Sequence, residues 1–172
     1  MRLPLLLAAC AGAFMASAAP AAEPGAAPVP AGVGALAGCW TGKGEVMGKA
    51  VSITLAARAV ALGVLMTVDA DSTALADPAD RYAAHLTFGG AKADTLTGYW
   101  ADSFGGDYAA TGKGSPRPDG FDMTYDYGAD AFVNRWRIEG AQLNWQIAAQ
   151  SKDGAEKPFA SYMLTKTTCA SQ

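Results

Sequence analysis

The chain has 172 residues, with 13 Lys and Arg against 16 Asp and Glu for a formal charge of −3, and no basic stripe runs along it, so nucleic acid is not an expected partner. Apolar residues make up 51% and charged residues 17%, a balance that suits one buried core and excludes a disordered chain. A single histidine, His85, excludes a multi-histidine metal centre within one chain, and neither a metal nor a cofactor is expected.

In chain order, residues 1–22 have the three parts of a secretory signal: Arg2, an apolar stretch from Leu3 to Met15, and the small residues Ala16 to Ala19. Leu7-Ala8-Ala9-Cys10 also resembles a bacterial lipobox, which offers a lipid anchor at Cys10 as the second reading. Either way the expected location is periplasmic or secreted. Residues 23–34 are almost entirely Ala, Pro and Gly after a single Glu23, and read as a spacer with little to bury. Residues 35–172 then form the folded domain.

From Ala35 onward short period-two segments are broken by Gly, Asp and Pro, the rhythm of a β-meander. Strands are expected at Cys39–Met47, Ala50–Ala57, Leu62–Ala70, Tyr82–Phe88, Thr95–Ala101 and Asp107–Gly112. Turns are expected at Gly89-Gly90, Gly105-Gly106 and Ser115-Pro116-Arg117-Pro118. Four clearer strands follow: Phe121–Tyr127, Ala131–Glu139, one around Leu143, Trp145 and Ile147, and Phe159–Thr167. Ala50–Val68 is long enough to cross a bilayer, but Arg58 at its middle would cost about 3 kcal/mol, so two strands and a turn are expected and no transmembrane segment. Helix is expected only in short pieces, at Val33–Leu36 and Ala74–Asp80. The fold class is therefore all-β, a single antiparallel up-and-down barrel of about eight to ten strands; closure removes the edges that an open meander leaves exposed.

Chemistry is thin along the chain. Ser103 and His85 invite a hydrolase reading, yet Ser103 lacks the Gly-x-Ser-x-Gly elbow, and its segment reads as a hairpin. Asp69-Ala70-Asp71-Ser72 opens like a calcium loop, but Ala74 stands where glycine is required and Asp80 where a bidentate Glu is required. Gly42-Lys43-Gly44 fails as a nucleotide motif and instead allows a strand to bend. On Tyr82–Phe88, His85 shares a face with Ala83 and Thr87, opposite Tyr82, Ala84, Leu86 and Phe88.

With Cys10 inside the leader, Cys39 and Cys169 are expected to pair, since export favours a disulfide and no second pair of ligands accompanies them. Leu36-Ala37-Gly38-Cys39-Trp40-Thr41-Gly42 holds a Gly-x-Trp at the first strand, which resembles the opening motif of lipocalins and of secreted lipocalin-like bacterial barrels. The resemblance implies a calycin-type barrel whose closing motif is Gly38 and Trp40, with Trp40 plugging one end under a basic residue, Lys166 or Arg137. Heme-binding barrels with this opening use a late histidine, which His85 is not.

The aromatic residues Trp100, Phe121, Tyr125, Phe132, Trp136 and Trp145 lie on neighbouring strands; with His85 they are the candidate lining of a ligand cavity, and core packing accounts for the aromatics equally well. Arg135 and Arg137 share a face that reads as external. The function implied is an exported lipocalin-like barrel that binds a small hydrophobic or aromatic ligand. The alternatives are a periplasmic protein-binding or inhibitor barrel acting through Gly114–Asp119, and an enzyme using His85.

Overall fold

A computed structural model describes residues 27–92 and 94–170. The signal-peptide and lipobox readings, and the start of the spacer, lie outside the described residues. Ten strands follow one short helix: α1 (Ala31–Gly34), β1 (Gly38–Val46), β2 (Lys49–Val60), β3 (Leu65–Ala74), β4 (Arg81–Lys92), β5 (Thr95–Asp102), β6 (Ala110–Arg117), β7 (Gly120–Asp126), β8 (Asp130–Glu139), β9 (Gln142–Ser151) and β10 (Glu156–Thr167). Each strand pairs antiparallel with its sequence neighbours, and β1 pairs with β10 to close the barrel.

Alternation puts one face of each strand inside. Val51, Ile53, Leu55 and Ala57 of β2, and Ala84, Leu86 and Phe88 of β4, are buried, while the residues between them face outward. The outer wall carries ion pairs such as Arg58–Asp69, Arg81–Asp71 and Arg135–Glu156. An apolar inside and a charged outside is the reverse of a lipid-facing barrel. No helix among the described residues is long and apolar enough to cross a membrane.

The cysteines pair as expected: Cys39–Cys169 links the start of β1 to the residues just after β10, across a sequence separation of 130. At the same end, Val33 and Leu36 are fully buried, and the Trp40 Nε1–H donates to the Leu36 carbonyl at 2.8 Å. Lys166 is the basic residue over the plug, its Nζ 5.1 Å from the Trp40 ring centroid. Arg137 instead turns outward, with Nη2 2.7 Å from Asp122 Oδ1.

Where the structure differs from the sequence reading, local backbone chemistry is the reason. The stretch 31–34 is helical and buries Val33, so the end of the presumed spacer is part of the barrel's cover. Gly89-Gly90 is not a turn: β4 runs through to Lys92, and Gly90 lacks a side chain because Pro28 crosses it, its carbonyl 2.6 Å from where a Cβ would stand. β6 likewise runs through Ser115-Pro116-Arg117, which leaves only Pro118 and Asp119 as the connection and removes most of the loop offered for protein binding. The expected helix at Ala74–Asp80 is the end of β3 followed by a turn in which the Asp80 N–H donates to the Asp77 carbonyl and the Ala79 N–H to the Asp77 carboxylate. β3 starts at Leu65 rather than Leu62, because Ala61, Leu62 and Gly63 take positive φ in the preceding turn. The strand expected from Asp107 begins at Ala110, after a 3₁₀ turn over Gly106–Tyr108.

Candidate functional site

One inward row across β7, β8, β9 and β10 is entirely aromatic: Phe121 faces Trp136, Trp136 faces Trp145, and Trp145 faces Tyr162. Cross-strand neighbours on one face sit within contact distance, so the register itself stacks them. Phe121 and Trp136 lie nearly parallel at 5.6 Å, Trp136 and Trp145 at 4.2 Å, and Trp145 meets Tyr162 at 4.9 Å. Phe88 closes the row from across the barrel, edge-on to both Phe121 and Trp136. Trp136 is thereby sealed in the packed half, with nothing of it exposed.

Beyond Trp145 the interior is hollow. A cavity of about 450 Å³ opens at the end opposite α1. Its walls include Trp100, Tyr125, Phe132, Trp145, Ile147 and Tyr162, and Met47, Phe104 and Tyr108 stand at its mouth. Trp100 meets Tyr125 edge-on at 5.4 Å and Trp145 at 6.0 Å. Gly112 makes room for this wall: a Cβ there would stand 2.6 Å from the Tyr125 ring, so only glycine lets the ring lie flat against β6.

The polar lining is small and concentrated. Asp102 faces inward at the mouth end of β5, two residues from Trp100 and so on the same face. Its Oδ2 accepts from the Tyr82 hydroxyl at 2.9 Å and from the Trp100 Nε1–H at 3.1 Å, while Oδ1 accepts from the Phe104 N–H at 2.9 Å. Burial, and then the Asp102 hydrogen bond and charge, push the Tyr82 phenol far above its usual range, so Tyr82 stays a neutral donor. Deeper in, the Trp145 Nε1–H donates to Asn134 Oδ1 at 2.9 Å, fixing the ring that divides packed core from cavity. Burial alone pushes the Tyr162 phenol up to about 12. At the rim Lys49 is held by Asp80 at 2.9 Å.

Four of the residues proposed from sequence thus border the cavity: Trp100, Tyr125, Phe132 and Trp145. Phe121 and Trp136 do not; they belong to the packed half beneath it. His85 is a correction of another kind. It lies on the outer wall, with Nδ1 2.6 Å from Asp69 Oδ1, because its strand position has the parity opposite to buried Ala84 and Leu86. Ser103 Oγ nearby accepts from the Ala83 N–H, which occupies the hydroxyl in backbone pairing. Asp69 and Asp71 project from a strand and pair with Arg58 and Arg81, so they form no calcium loop. Tyr82, Asp102, Asn134 and Tyr162 were missed, although parity with Leu86, Trp100, Trp136 and Leu164 places each of them inside.

No protein-family model and no curated protein matches the sequence. Among solved structures the barrel is similar to Rv2717c from M. tuberculosis, with a TM-score of 0.58, 13% identity, and coverage of 81% of this chain and 99% of that one. It is also similar to the S-type phycobiliprotein lyase CPES from Guillardia theta, with a TM-score of 0.53, 12% identity, and coverage of 81% and 92%. Identities this low establish a shared barrel fold and nothing about chemistry.

Proposed function

We propose that this chain is an exported lipocalin-like barrel that binds a small apolar or aromatic molecule in its open-ended cavity. The observation that carries the reading is the 450 Å³ space walled by aromatic rings on a rigid, closed sheet; an interior of this size with few polar groups suits a small ligand. Ten strands enclose more volume than an eight-stranded barrel, and here the excess is gathered at one end instead of being filled. Export is supported by the Cys39–Cys169 bond, which persists in oxidising compartments, and by the leader-like residues 1–22. An enzymatic role for His85 has little support, since its ring faces away from the cavity and its neighbour Ser103 is engaged with the backbone.

Titration of the purified protein with neutral apolar and aromatic probes, followed by tryptophan emission, tests the reading. Saturable quenching is expected, because Trp100 and Trp145 border the space, and Ile147→Phe, which fills it, is expected to weaken binding at least tenfold. Emission that does not respond to any probe, or that responds equally in Ile147→Phe, overturns it.

A further inference from the structure

Resting on that reading of the cavity, we propose that its ligand is an amine: an apolar or aromatic body seated among Trp100, Trp145 and Tyr162, with a cationic head at Asp102. The charges at the mouth decide the sign. Among the described residues two carboxylates line it, Asp102 and Asp80, against the single ammonium of Lys49, and Lys49 is committed to Asp80 at 2.9 Å. The three groups that donate to Asp102 are all neutral: the Tyr82 hydroxyl, the Trp100 indole and the Phe104 amide. They orient the carboxylate without cancelling its charge. A carboxylate accepts about four hydrogen bonds, so one acceptor position remains for an incoming ammonium.

The walls favour the same sign. Aromatic faces carry negative potential and attract cations, and the rings of Trp100, Tyr125, Tyr127 and Phe132 line the same cavity as Asp102. A ligand carboxylate would meet the same rings and Asp102 with repulsion at both. A neutral ligand would bring no charge to Asp102 and gain at most an uncharged hydrogen bond there.

Three probes with one naphthalene body separate these cases: naphthylmethylamine, naphthylmethanol and naphthoate, titrated by calorimetry at neutral pH into the disulfide-bonded protein. The amine is expected to bind about tenfold tighter than the alcohol, the worth of one charge-assisted hydrogen bond, and the acid weaker than the alcohol. Asp102→Asn keeps the shape and an acceptor for Tyr82 and Trp100 while giving up the one for the Phe104 N–H, and it is expected to erase the preference for the amine over the alcohol. Lys49→Met releases Asp80 and is expected to raise amine affinity a further few-fold, which decides the matter even where Asp102→Asn does not fold. An amine no tighter than the alcohol, or an acid that binds best, overturns the charge preference while the cavity reading stands. Failure of all three probes removes the cavity reading, and this inference with it.

Discussion

The two ends of the barrel are built from the same meander and both carry aromatic rings, yet one is solid and the other hollow. At the closed end Val33, Leu36 and Trp40 fill the space between strands, and Phe88, Phe121 and Trp136 pack edge-on and stacked beneath them. At the open end Trp100, Tyr125 and Tyr162 line the walls, and no neighbouring element among the described residues fills the middle. The difference comes from the connections rather than the strands. A helix and an indole cap one end, while the other is ringed by turns that place Met47, Phe104 and Tyr108 at the rim. Packed core and open space are thus gathered at opposite ends of a single sheet.

Breaking the Cys39–Cys169 bond is expected to have the largest effect, because it releases a loop of 130 residues and unties β1 from β10 where the barrel closes. In the chain-entropy account the loss is about 4–5 kcal/mol. Thermal melts with and without reductant measure it; an unchanged melting temperature would show that the closed end holds without the bond. Next, Trp136→Ala removes a fully buried ring and is expected to cost about 3–5 kcal/mol. Trp100→Phe keeps a ring at the cavity wall and loses its hydrogen bonds to Tyr82 and Asp102, for about 1 kcal/mol, while weakening ligand binding. Equal destabilisation by the two variants would erase the distinction between a packed end and a hollow one.

The sheet was legible because period-two alternation marks a half-buried strand, and Phe121 to Tyr127 or Leu143 to Ile147 show it without interruption. The cysteine pairing was legible from position in the chain, and the Trp40 plug from the resemblance of Gly38-Cys39-Trp40 to the lipocalin opening. Strand ends were not, since Gly89-Gly90 and Pro116 carry turn signals that a tertiary neighbour reuses: Pro28 lies over Gly90, and Pro116 sits inside a ladder. The site was legible only as a set of faces. Alternation put Trp100 and Trp136 inside alike, but whether a ring meets another ring or open space depends on what enters the barrel end, and no local pattern carries that. Asp102 shows the same limit; an acidic residue in a Gly- and Asp-rich stretch reads as loop until its strand parity with Trp100 is counted.

A smaller effect sharpens the closed end. Lys166 lies over Trp40 at 5.1 Å and is itself exposed, so Lys166→Met is expected to cost about 0.5–1 kcal/mol, in proportion to a solvent-facing cation–π contact. Chemical denaturation resolves a change of this size, and binding at the far end should be unaltered. A change in ligand affinity would mean that the plug and the cavity are coupled through the aromatic row.

The outer wall of the closed half supplies the last and smallest contrast. Asp122 projects from β7 between Arg117, whose Nε is 2.7 Å from Oδ2, and Arg137, whose Nη2 is 2.7 Å from Oδ1. Partial burial acts to raise its pKa, but the hydrogen bonds and charges of the two guanidiniums outweigh it and hold the carboxyl below its ordinary 3.8. A carboxyl with a lowered folded pKa binds fewer protons than it does in the unfolded chain. Its contribution is therefore complete above the unfolded value of 3.8 and is lost as pH falls through the lower, folded one. Asp122→Asn is accordingly expected to be less stable than the parent at neutral pH, with the gap narrowing as the pH drops below about 4. Melting curves from pH 7 down to pH 2 would show it, and a gap that stays constant across that range would mean that the two arginines fix the position of Asp122 without stabilising its charge.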